Sequence, residues 1–193
     1  SNHGISSNGY NNKINNNNDN NSNQGQRSSI MSLMESMGRM GAQWSTLNAE
    51  GKEALTQRIL EELPRLSSED VPSFLHAMST MGATWSELPV ALRDAFIDAL
   101  AGASIMMSSR GISVTILSLA KLDVYWRKDL PKGLRMLLRQ SISRQSELGE
   151  HSLSSLLYGL AKLGRKWRDL HPDLHTSLKE GIVVCHVRDS YSA

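Results

Sequence analysis

LSSLLYGLAKLGRKW at residues 153–167 and ISVTILSLAKLDVYW at 112–126 end on tryptophans 41 residues apart. The same interval reaches back through VPSFLHAMSTMGATW at 71–85 to IMSLMESMGRMGAQW at 30–44, so Trp44, Trp85, Trp126 and Trp167 stand at a constant spacing. A fixed period of about 20 to 50 residues signals a repeat array. Within each stretch the apolar positions fall at the first residue and then four, seven and ten further on. They are Ile30, Met34, Met37 and Met40 in the first unit and Leu153, Leu157, Leu160 and Leu163 in the last. That is the stripe of an amphipathic α-helix, not the alternation of a strand.

The residues just before the stripes, Ser29, Asp70, Gly111 and Ser152, are of types that serve as helix N-caps. Eleven positions into each stripe come Gly41, Gly82, Asp123 and Gly164. These should end the helix in the left-handed conformation, which glycine adopts without steric cost and Asp tolerates better than most residues. A short turn follows each Trp, as in Trp85-Ser-Glu-Leu-Pro89 and Trp126-Arg-Lys-Asp-Leu-Pro131, with the proline placed in the first turn of a second helix. The second helix carries Leu55, Ile59 and Leu60 in the first unit, Leu92, Phe96 and Leu100 in the second, Leu134, Leu137 and Leu138 in the third, and Leu170, Leu174 and Leu178 in the fourth. In the third unit one extra residue precedes the Leu-Pro pair, and Thr115 is expected to interrupt the first helix.

One amphipathic pair cannot cover its own apolar faces, and stacking the pairs makes a continuous core. The fold class expected is therefore all-α: a curved, right-handed α-solenoid of four helix-turn-helix units over residues 30–70, 71–111, 112–152 and 153–193. Each Trp should wedge between its own two helices and the next unit, and the two ends should look unfinished. Residues 1–29, with NNKINNNNDNNSNQGQ at 11–26, hold too little apolar surface to offset the entropy of ordering. They are expected to form a disordered Asn-rich tail or linker. With a first residue that is Ser rather than Met, the chain reads as an excerpt of a longer one.

No apolar run reaches the roughly 18 to 20 residues needed to cross a bilayer. The single cysteine, Cys185, excludes an internal disulfide and a cysteine-rich zinc site, suits a reducing intracellular compartment, and reads as an inert thiol. Net charge is +2, unevenly spread: residues 1–109 carry 7 Lys and Arg against 11 Asp and Glu, and residues 110–193 carry 14 against 8, leaving −4 and +6. The basic half is the C-terminal one.

Enzyme signatures are lacking: no Gly-rich phosphate loop, no Gly-x-Ser-x-Gly elbow, no His-Glu-x-x-His. His171 and His175 are four apart, the spacing of a helical zinc pair, but no third ligand accompanies them and a solvated surface is the preferred assignment. Glu61-Glu62 and Glu69-Asp70 read as solubility or helix-dipole residues. Met31, Met34, Met37 and Met40 read as core filling, since the last two align with leucines in later units.

What varies between units is the polar face of the first helix. Glu35, His76, Leu117 and Tyr158 occupy one position there, and Arg39, Thr80, Lys121 and Lys162 another. A constant frame with variable facing positions is the pattern of modular single-stranded RNA readers. Arg127, Lys128, Arg165, Lys166 and Arg168, around two of the Trp turns, are placed to track phosphates.

Leu153 to Gly164, with Trp167 and Leu170-His-Pro172 after it, resembles a unit of the octatricopeptide repeat proteins and of the related helical repeats that precede RAP domains in FAST-kinase-like proteins. The resemblance extends more loosely over residues 30–193. It implies an α-solenoid that binds single-stranded RNA in a mitochondrion or plastid, for transcript maturation, stability or translation, with no cofactor. Position by position it implies base-facing roles for His76, Thr80, Leu117, Lys121, Tyr158 and Lys162, Tyr158 stacking on a base. The alternative is a protein-interaction scaffold holding a helix or peptide in its concave surface, motivated by the acidic first two units and the Met-rich first helix. A continuous positive strip along the first-helix surface supports RNA, whereas a positive patch on the second helix or the rim alone does not.

Overall fold

Wherever the sequence repeats its apolar stripe, the backbone is helical. The computed structural model describes residues 29–145 and 148–190. Among these the chain is all-α, with eight α-helices and no strand: α1 (Ser29–Arg39), α2 (Ala49–Glu62), α3 (Asp70–Thr80), α4 (Val90–Ala103), α5 (Ser109–Lys121), α6 (Lys132–Ser143), α7 (Glu150–Lys162) and α8 (Pro172–Ser190). The expected disordered tail falls outside the described residues, apart from Ser29, which opens α1.

The odd-numbered helices lie against one another in chain order, as do the even-numbered ones, and each odd helix touches the even helix that follows it. Between the two layers runs a single apolar cluster from Ile30 to Leu178. Val71, Leu75 and Met78 of α3 and Ile112, Ile116 and Leu119 of α5 are buried in it against Leu92, Phe96 and Leu100 of α4. Each such side chain contributes about 1.5–3 kcal/mol. The stacking is closest at Gly159: a Cβ there would stand 2.8 Å from Ile116 Cγ2 and 3.0 Å from the Ile116 carbonyl oxygen. Only glycine lets α7 sit this near α5.

The left-handed stops occur where the repeat places them, at Gly41 (φ 80), Gly82 (φ 65), Asp123 (φ 57) and Gly164 (φ 79). Past the first three stops the chain turns so that the Trp amide reaches the end of the next odd-numbered helix. Trp44 N–H donates to the Met81 carbonyl at 2.7 Å, Trp85 N–H to Leu122 at 2.7 Å, and Trp126 N–H to Leu163 at 3.2 Å. Each acceptor is an orphan carbonyl at a helix end, satisfied here by the preceding unit.

Several local expectations are corrected. The expected caps Ser29, Asp70, Gly111 and Ser152 all lie inside helices, which begin one to three residues earlier than the apolar stripes. In α5 the cap is Ser108, whose Oγ accepts from Gly111 N at 3.2 Å, a role Gly111 has no side-chain oxygen to fill. Glu69 is more than a dipole residue: its carboxylate accepts from the Ser108 amide and hydroxyl, both at 3.1 Å, tying α3 to the cap of α5. Thr115 does not interrupt α5, because its buried hydroxyl donates to the Met107 sulfur at 3.5 Å. Pro89 and Pro131 stand at the caps of α4 and α6, with ψ of 145 and 149, and not in the first turn.

Two repeat positions change environment at the ends of the stack. Trp44, Trp85 and Trp126 are buried, but Trp167 is 42% exposed, its ring 4.4 Å from that of His175. Met31 and Met34 are core residues, whereas Met40, expected to join them, is 86% exposed. Its equivalents Met81, Leu122 and Leu163 lie under the preceding unit, and among the described residues no unit precedes Met40.

Candidate nucleic-acid interface

Because the odd helices stack with their units in step, the variable positions form rows across one face. His76, Tyr158, Arg39, Thr80, Lys121 and Lys162 are exposed, while Glu35 and Leu117 are half-buried. The rows are electrostatically connected. The His76 imidazole is held below its ordinary 6.5 by partial burial first and by Lys121 of α5 second, with Glu35 of α1 acting in the opposite sense. Some members already have partners: Arg39 Nη2 lies 3.4 Å from Glu35 Oε2, and the Thr80 hydroxyl donates to the His76 carbonyl at 2.9 Å. Lys162 Nζ sits 6.0 Å from the centre of the Tyr158 ring, a cation–π distance that leaves most of the ring in solvent.

Beside these rows a groove of about 550 Å³ crosses the layer, lined by Glu35, Glu69, His76, Arg110, Leu117 and His151 among others. Its charge is mixed. The positive strip that RNA recognition on this layer calls for is therefore broken: Arg39, Lys121 and Lys162 put one cation each at the ends of α1, α5 and α7, the end of α3 carries Thr80 instead, and Arg39 is paired with Glu35.

The dense positive charge lies on the adjoining rim, at the Trp turns. Arg127 and Arg165 meet there, and α6 adds Lys132, Arg135 and Arg139, all lining one pocket of about 300 Å³. The three α6 cations were not singled out from the sequence, although their three- and four-residue spacing marks them as one polar helix face. The Arg165 guanidinium is held below its ordinary range by burial first and then by Arg127, with Arg135 adding to the effect and Asp169 opposing it. Arg165 Nη2 donates to the Asp169 carbonyl. Arg135 Nε is buried without a protein partner. Lys128 joins Arg127, Arg165 and the exposed Tyr125 around a second, neighbouring hollow. Lys166 and Arg168 are exposed and line neither rim hollow; Arg168 Nε is 3.9 Å from the carboxylate of Asp169.

His171 and His175 do not face a common point. His171 precedes α8 and pairs with Asp173 at 3.2 Å, while His175 packs on Trp167. Among the described residues no group of three or more His, Cys, Asp or Glu side chains is arranged to hold a metal ion. Cys185 lies within α8, its sulfur 3.7 Å from the Leu148 carbonyl. Among the described residues no helix is long and apolar enough to cross a membrane. No protein family, curated protein or solved structure matches the chain.

Proposed function

We propose that the chain is a short, curved α-solenoid of four helix-turn-helix units, of the octatricopeptide kind, and that it binds single-stranded RNA. The strand runs along the boundary between the basic rim and the odd-helix face, phosphates on Arg127, Lys128 and Arg165, bases toward Lys121, Tyr158 and Lys162. A basic rim alone would not favour RNA; what supports the reading is that Arg127, Lys128 and Arg165 converge beside exposed Tyr125, while Lys121 and Lys162 add exposed cations on the odd-helix face. Like charges held together at a surface are repaid by a polyanion, and an exposed ring offers any base a stacking partner. By the same resemblance the work is transcript maturation, stability or translation in a mitochondrion or plastid.

The test is fluorescence anisotropy with a labelled mixed-sequence single-stranded RNA across a salt series. Five cations neutralising phosphates give a slope of log affinity against log salt of about −3.5, from about 0.7 per contact on a single strand. Lys121→Glu with Lys162→Glu should weaken binding severalfold and flatten that slope. Absence of binding at low salt refutes the proposal. The mixed-charge groove and the exposed Leu33 of α1 and Met40 just after it then favour the second function, a scaffold for a helix or peptide, whose affinity tolerates salt.

A further inference from the structure

We propose that the rim pocket between the Trp126 turn, α6 and the Trp167 turn is a site for a terminal phosphate, a phosphomonoester dianion. Five cations from three segments, Arg127, Lys132, Arg135, Arg139 and Arg165, line it with one carboxylate, Asp169. A diester linkage inside a strand carries one negative charge, whereas a monoester carries about 1.5 to 2 near neutral pH, the closer match to this surplus. A volume of about 300 Å³ accepts a phosphate and the sugar it terminates, where the passage of a continuous strand calls for an extended groove.

Two features make the pocket more than a scatter of surface lysines. Its floor is apolar, formed by the buried Trp126, Leu160 and Leu174. Arg165 is tied beside it by its bond to the Asp169 carbonyl, and guanidinium forks match phosphate oxygens two bonds at a time. Arg135 Nε is buried with no acceptor in the protein, and an unpaired buried donor of this kind is stabilised by an anion seated against it. The crowding of Arg165 by Arg127 and Arg135, which depresses its proton affinity, is relieved by the same anion.

The site follows from the rim's own geometry and stands apart from base recognition on the odd-helix face. Its ligand has two sources, the phosphorylated end of an RNA or a small free phosphate, and the experiment separates them. One short single-stranded RNA is prepared with a terminal phosphate and with a terminal hydroxyl, and both are titrated against the chain by anisotropy. Inorganic phosphate is titrated separately by ³¹P line broadening. The phosphorylated RNA should bind about tenfold tighter or more, what one charge-assisted bond contributes. Arg135→Gln and Arg139→Gln, checked for helicity by circular dichroism, should erase that preference while leaving the hydroxyl-ended RNA within about twofold. If neither RNA binds but inorganic phosphate does, and Arg135→Gln abolishes it, the pocket is upheld with a small phosphate as ligand and RNA binding is excluded. Equal affinity for the two RNA ends with no phosphate broadening overturns the site and leaves RNA binding standing. Phosphate binding that survives both substitutions also overturns it.

Discussion

Replacing each tryptophan in turn by alanine should separate the three covered positions from the open one. An indole side chain buries about 150–250 Å². At about 25 cal/mol per Å², truncating Trp85, only 4% exposed, removes about 5 kcal/mol, the upper part of the range for such core deletions. Trp167, 42% exposed, retains little more than half of that burial, so Trp167→Ala should cost about 3 kcal/mol. The expected gap of about 2 kcal/mol exceeds the error of denaturant extrapolation when variants share one slope. Urea unfolding followed by far-ultraviolet circular dichroism measures it without depending on the tryptophan being removed. Trp167→Ala costing as much as Trp85→Ala would refute the claim that the unit stacked after an indole adds to its stabilisation.

Three further outcomes are expected. Gly82→Ala should lower stability by about 1–2 kcal/mol, because its φ of 65 is strained for any residue with a Cβ, while Asp123→Gly at the equivalent stop should be neutral or stabilising by about 0.5 kcal/mol in the same unfolding assay. Glu69→Ala and Ser108→Ala should each cost about 1 kcal/mol and the double variant clearly less than their sum, since both break one bridge between units; full additivity in the double-mutant cycle would count against that bridge. With its folded value below 6.5, His76 stays neutral in the native chain after the unfolded chain has begun to bind protons. Its contribution is thus complete above about pH 6.5 and is lost as pH falls toward the folded value. Proton NMR titration should show the His76 midpoint rising in Lys121→Ala and falling in Glu35→Ala; no movement in either would show that the rows are not coupled across the helix layer.

The amino-acid sequence alone determined what depends on neighbours along the chain. The apolar stripe, the helix pair in each unit and the left-handed stop at Gly41, Gly82, Asp123 and Gly164 follow from side-chain periodicity and from φ, both local properties. Cap identity was the weakest of these local readings, since Ser108 and Gly149 lie upstream of the stripe that drew the eye to Gly111 and Ser152. Only the tertiary structure decided what depends on stacking. Met40 and Met81 share a repeat position, yet one is in solvent and the other buried, because a neighbouring unit covers only the second. His171 and His175 share a helical spacing, but their rings take different partners once the Trp167 turn is in place. Arg165 shares one pocket with Arg127 and Arg135, thirty or more residues before it, because the helices that carry them pack side by side. Charge adjacency across units is set by that packing, and no period along the chain encodes it.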